Sequence, residues 1–163
     1  MTRRHLLSAI LVGQSWDRQL GGIAATVLAQ WITASRQQAL AAGTEPVPSD
    51  IMKSLAGYLP AELTRMARWR VGGTTSIPTL PGFAFQYGDV AAITLIDVVL
   101  FGSEGDARRN AKLWAHELTH VAQYQRWGVD GFATRYIADS GAVEREAYVN
   151  ADRFAASRSR SAR

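Results

Sequence analysis

Residues 116 to 120 read His-Glu-Leu-Thr-His. They lie in a stretch from Ala107 to Trp127 whose spacing predicts a helix stopping at Gly128, a residue suited to the position just past a helix end. No other feature constrains the chain as tightly. On a helix, residues four apart lie about 40° apart around the axis and one turn along it. His116 and His120 therefore converge on one point. Neutral imidazole is a good ligand for Zn²⁺. Glu117, one residue on, can reach a water on the metal rather than the metal itself. Zinc lowers the pKa of such a water from about 16 toward about 7, and a nearby carboxylate can accept the proton and hand it to a leaving amine. The chain has 3 histidines, and two fall in this pattern. His5, near the N-terminus, is set apart from it. The alternative is a histidine pair that holds no metal.

A catalytic zinc site keeps three protein ligands. No histidine follows His120, so the third must be a carboxylate: Asp130, Asp139, Glu144, Glu146 or Asp152. Val143, Ala147, Ala151 and Phe154 form an apolar stripe on the last predicted helix. At 100° per residue, Glu144 lies about 65° from the centre of that stripe and Glu146 about 95° on its other side. At most one of them is expected at the metal. The wheel favours Glu144 over Glu146, and either could instead be a surface carboxylate paired with Arg145 or Lys112.

The chain is 163 residues long and 47% hydrophobic, enough for one packed core and too short for two ordinary domains. It has no cysteine, which excludes disulfide scaffolds, iron–sulfur clusters and thiolate zinc fingers. The net charge of +4 is mild, and much of it sits at the ends, in Arg3, Arg4, Arg158, Arg160 and Arg163. No aromatic residues interleave with these arginines, so nucleic acid is not expected as a partner. No apolar run approaches the roughly 20 residues of a membrane span. Thr2-Arg3-Arg4-His5-Leu6-Leu7 resembles the start of a twin-arginine export signal, which would place the protein in the periplasm or outside. Otherwise the segment is an amphipathic helix on a cytoplasmic protein.

Residues 5 to 41 read as helical with a break near Gly21-Gly22. Ser49 or Asp50 can cap a short helix from about 51 to 57, and Pro60 opens another running to about Arg68. Val71 to Pro81 reads as loop. Phe83 to Phe101 is apolar and β-branched, with Ala91–Leu95 and Asp97–Phe101 as strands in a tight hairpin or one bent strand. Asp97 then marks a turn rather than a buried charge. Ser103 or Asp106 caps the motif helix, Asp130 a short helix to about Ile137, and Asp139 or Ser140 a last helix from 141 to about 156. The fold class is α+β, mostly α.

Leu113-Trp114-Ala115-His116-Glu117-Leu118-Thr119-His120-Val121-Ala122-Gln123-Tyr124 resembles the motif core of a bacterial domain found in core proteins of extracellular contractile injection systems. Val98 to Phe101 is similar to that family's short hydrophobic strand, and Trp127 to Ala133, Tyr136 and Val143 to Tyr148 to its downstream E-x-E-A segment. The resemblance covers about residues 69 to 150. It implies a zincin-like fold, with a substrate-binding strand beside the H-E-x-x-H helix and a Glu from a later helix. Carried onto this chain, the ligands are His116, His120 and Glu144, and the base is Glu117. Related zincins carry an acid four residues past the ligand Glu, where this chain has Tyr148. The implied organisation is an N-terminal helical region, 1–68, with a candidate targeting segment at 1–25; a zincin-like metal-binding domain, 69–157; and a basic tail, 158–163.

The leading expectation is a zinc metallopeptidase that hydrolyses peptide bonds by a metal-activated water, with Glu117 as general base and a peptide or protein as substrate. A hydrolase of this kind needs a donor for the developing oxyanion. Tyr124, Tyr136, Tyr148 and Arg145 are the candidates, and Tyr136, between the motif and the Glu helix, is preferred. The alternative is a non-catalytic binding or assembly module associated with a secretion or injection apparatus.

Overall fold

Val98-Val99-Leu100-Phe101 is an uninterrupted apolar run, the pattern of a strand covered on both faces. All four residues are buried. A computed structural model describes residues 3–72 and 91–161, with side chains from Leu20 to Arg160. The elements are α1 (Arg3–Ala41), β1 (Glu45–Pro46), α2 (Ser49–Leu55), α3 (Ala61–Met66), β2 (Arg68–Val71), β3 (Ala92–Leu95), β4 (Val98–Phe101), α4 (Glu104–Arg109) and α5 (Ala111–Ser161). The molecule is α+β and mostly helical, with one small sheet ordered β1-β2-β4-β3. β2 runs parallel to β4, and the other pairings are antiparallel.

β4 divides the core because alternate residues of a strand face opposite sides. Val99 and Phe101 join Ile51, Leu55, Leu63, Trp69, Trp114, Leu118 and Phe154 on one side. Val98 and Leu100 join Leu28, Ile32, Tyr124, Phe132 and Val143 on the other. α1, α2 and α3 thus share cores with the motif segment of α5. Trp114 is fully buried, and its Nε1 donates to the Ala107 carbonyl at 2.6 Å, so its polar atom is satisfied inside the core.

β3 and β4 form the tight hairpin, with Ile96 and Asp97 as its turn. Ile96 has φ 63°, costly for a β-branched residue, and its side chain packs against the α1 side of the core. Asp97 stands at the turn as expected. Its carboxylate accepts two hydrogen bonds from Arg36, the second at 2.9 Å, and so anchors α1 to the hairpin.

Several expectations are corrected. α1 runs through Gly21-Gly22 without a break. Two glycines cost a helix about 1 kcal/mol each, and packing of Ala25, Leu28, Ala29 and Ile32 just beyond them outweighs that. The short helix starts at Ser49 with Pro48, not a side-chain cap, before it, and ends at Leu55. The helix after Pro60 ends at Met66; Arg68 and Val71 belong to β2, held by long-range pairing with β4. The stretch from Ala107 is two helices. Ser103 caps the first, and the second starts past Asn110, whose Oδ1 accepts from Leu113 N at 3.0 Å. The last helix reaches Ser161, beyond 156. The loop reading past Gly72, the apolar stretch from Phe83 to 90, and the side chains of the twin-arginine-like start lie outside the described residues. No described helix is long and apolar enough to cross a membrane.

Candidate metal centre

α5 carries all three candidate ligands, His116, His120 and Glu144, because it breaks twice. At Gly128 the backbone takes φ 67° and ψ 173°, a left-handed φ that glycine adopts without cost. At Asp139 it leaves helical geometry again, and the Asp139 carboxylate accepts from Ala142 N at 2.9 Å as an N-cap. The chain folds back between these points. Val143, Ala147, Ala151 and Phe154 then bury the predicted apolar stripe.

This return brings Glu144 to the histidines. His116 Nε2 and His120 Nε2 are 3.2 Å apart. Glu144 Oε2 lies 3.3 Å from the first and 3.5 Å from the second. Tetrahedral zinc with bonds of about 2.0–2.2 Å separates neighbouring ligand atoms by about 3.3–3.6 Å. The three atoms therefore already stand at the spacing of one face of such a coordination shell, and two imidazoles with one carboxylate are a donor set zinc accepts. Among the described residues this is the group of histidine and acid side chains that could hold a metal ion.

The electrostatics are those of a tightly coupled cluster. Burial raises the Glu144 carboxyl, but hydrogen bonds from His116 and His120 outweigh it and hold the group well below the usual carboxylate range. Burial opposes protonation of His120, yet the hydrogen bond to Glu144 and the charges of Glu117 and Glu144 prevail and raise its pKa. A cation at this point, proton or metal, is thus favoured by two carboxylates.

Glu117 is 2% exposed, and its Oε2 accepts from the Thr94 hydroxyl of β3 at 2.7 Å. The Tyr136 hydroxyl donates to Glu144 Oε1 at 3.3 Å, whereas the histidines face the other oxygen, Oε2. Glu146 turns to other partners: Arg126 at 2.8 Å and Gln123 Nε2 at 3.0 Å. Asp139 is the cap described above, Asp152 pairs with Lys112 at 2.7 Å, and Asp130 is exposed. Tyr148, 62% exposed, lays its ring against His116 with centroids 4.5 Å apart. Tyr124 is buried, its hydroxyl donating to the Thr94 carbonyl at 3.4 Å, and Arg145 is exposed. His5 lies outside the described side chains.

Two residues at the centre had no assigned part in the sequence reading. Thr94 fixes Glu117, and its position could not be inferred before the hairpin was placed against α5. Gln123 binds His120 Nδ1 at 2.8 Å. Its signal was available, since three residues past a helical histidine is a neighbouring position.

The comparison with protein families matches residues 46–128 to the eCIS core domain. No curated protein matches the chain, and no solved structure does.

Proposed function

Because the chain belongs to the eCIS core domain family, we propose that it is a metal-holding module associated with a contractile injection apparatus. Zinc is its proposed metal, and His116, His120 and Glu144 are its proposed ligands. The observation that carries the metal reading is the triangle of ligand atoms at 3.2, 3.3 and 3.5 Å. The association is supported by the family match, which spans β2, β3, β4 and the segment bearing both histidines. The test has two parts. Purified protein should contain about one zinc per chain, and a Glu144→Ala variant should not; no zinc after supplementation would end the metal reading. Co-expression with apparatus components should recover a stable complex that survives washing; a chain that stays monomeric beside them would end the module reading.

A second reading, a zincin-like peptidase, is favoured by Glu117. A structural metal site has no need of a buried carboxylate one residue from a ligand, clamped by Thr94 at 2.7 Å. When bound, zinc supplies Lewis acidity and acidifies a water. Glu117 is placed to take up a proton and return it. Among the described residues β3 pairs with β4 alone, and antiparallel alternation turns the backbone groups of Ala92 and Thr94 outward. An extended peptide could add to that edge, although the Thr94 carbonyl already accepts from Tyr124. Hydrolysis of an unstructured protein such as casein by wild type, with none by Glu117→Gln at equal zinc content, would establish this reading. Equal cleavage by both would remove Glu117 from it.

A further inference from the structure

We propose that Gln123 is the positioning residue of the metal centre. It locks His120 in the Nδ1–H tautomer, and it ties that histidine to the helical turn that delivers Glu144. This rests on the metal-centre reading above.

Gln123 is fully buried. Its Oε1 faces His120 Nδ1 at 2.8 Å, and its Nε2 donates to the Val143 carbonyl and to Glu146 Oε2, each at 3.0 Å. These partners decide the orientation of the amide. Val143 O and a carboxylate can only accept, so the NH₂ must face them. The reverse orientation would set the amide oxygen against two acceptors and leave its donors against an imidazole. Oε1 is therefore the atom at His120, and an oxygen there requires Nδ1 to carry hydrogen. In neutral His120 the lone pair then lies on Nε2, the atom in the triangle with His116 and Glu144. No other group supplies this choice: the described contacts of the ring's far nitrogen end at Gln123.

The second half of the role is mechanical. Val143 precedes Glu144 and Glu146 follows it by two, so the amide grips the turn on both sides of the third ligand. Arg126 reinforces the grip with contacts of 2.8 Å to both oxygens of Glu146. The two acids of the E-x-E segment thus divide the work: Glu144 meets the histidines, and Glu146 holds the strap that brings it there. Orienting partners of metal-bound histidines typically affect affinity by about 10–100-fold.

The experiment uses the full chain. Zinc affinity is measured by competition with a chromophoric chelator, and the His120 tautomer by long-range ¹H–¹⁵N spectra of the zinc-free protein at a pH where the ring is neutral. Gln123→Met keeps length and loses both hydrogen-bonding functions. It should weaken zinc binding about 10–100-fold and lose the Nδ1–H signature. Glu146→Ala, which removes one of the two anchors of the amide and leaves the Val143 contact, should weaken zinc binding by a smaller factor than Gln123→Met. Wild-type zinc uptake with unchanged affinity and tautomer in Gln123→Met overturns this proposal and leaves the metal centre standing. A wild-type chain that takes up no zinc overturns both. Should the methionine variant not fold, Glu146→Ala decides: zinc affinity unchanged from wild type refutes the strap.

Discussion

Removing the Glu144 charge should reveal itself as a lost response to zinc rather than as a simple loss of stability. Of the three candidate ligand atoms, the one Glu144 offers is the sole anionic one. A ligand that binds only the folded state stabilises it by RT ln(1 + [L]/Kd), about 4.1 kcal/mol at a thousandfold excess over Kd. For a chain of this size each kcal/mol moves Tm by about 2–4 °C, so wild type should gain about 8–16 °C. If Glu144→Gln weakens binding about a hundredfold, the same zinc concentration stands at about ten times the new Kd. The gain falls to about 1.4 kcal/mol, or about 3–6 °C. The substitution also deprives the metal-free histidines of their carboxylate at 3.3 and 3.5 Å, so Tm without zinc shifts too, and the difference between zinc-loaded and metal-free melts is the quantity to read. Scanning calorimetry at fixed free zinc supplies it. Glu146→Gln is the companion: its carboxylate meets Arg126 and Gln123 rather than the histidines, so it should lose less of the increment than Glu144→Gln. The reasoning is refuted if Glu144→Gln keeps the wild-type increment, or if Glu146→Gln loses more of it than Glu144→Gln does.

Other expectations bear on the same site. The pH dependence should run in opposite senses with and without metal. The raised His120 pKa contributes stability that is complete below about pH 6.5 and is lost as pH rises through the folded value; the depressed Glu144 contributes stability present above about pH 4.3 and lost as pH falls through its folded value. For these two groups the metal-free protein is most stable between about pH 4.3 and 6.5, whereas the zinc increment should grow from pH 6 to pH 8 because proton and metal compete for His120; melts across that range showing no such crossing would contradict the assignment. Glu117→Gln should leave zinc content unchanged and, on the peptidase reading, lower any hydrolytic rate by about 10²–10⁴-fold, which elemental analysis beside a peptide assay can check. Gly128→Ala should cost about 1–3 kcal/mol, since φ 67° with ψ 173° is a region nearly restricted to glycine, although an added Cβ meets nothing within 4 Å; a denaturation curve matching wild type would show that the break tolerates any residue.

Local signals explain what could be read without coordinates. The Val98–Phe101 run, Asp97 at a turn and the Gly128 stop each depend on neighbours a few residues away, and each is found in the fold; Ser103 is a cap, but of α4 rather than of the motif helix. The His116–His120 spacing works for the same reason. β2 was hidden because Arg68-Trp69-Arg70-Val71 follows a helix with no turn signal and owes its extended form to β4, about 30 residues on. Gly21-Gly22 misled because local cost was outweighed by distant packing. Glu144 was separated from Glu146 only weakly by the wheel. Both acids in fact face the motif segment, and what distinguishes them is which partner stands opposite: the histidine pair for one, Gln123 and Arg126 for the other. Such partner choice is a tertiary property, and no periodicity encodes it.

The motif helix carries these duties because it is covered nearly all the way round. Taking about 100° per residue from Trp114, Leu118 and Val121 fall within about 40° of it, facing the core shared with α2 and β4. His116 and His120 fall near about 200° and 240°, on the opposite side. Glu117 and Tyr124, near about 300° and 280°, both reach Thr94 on β3. Thr119 and Gln123, near about 140° and 180°, reach Asn150 and the Val143–Glu146 turn. The two histidines thus sit on the seam between a strand that holds Glu117 and a returning helix that holds Glu144. A metal at that seam would have its third ligand and its neighbouring carboxylate presented from opposite flanks by separate hydrogen-bonded supports. That separation predicts how substitutions sort: changes on the Gln123 flank should act on metal affinity, and changes on the Thr94 flank on whatever chemistry Glu117 performs.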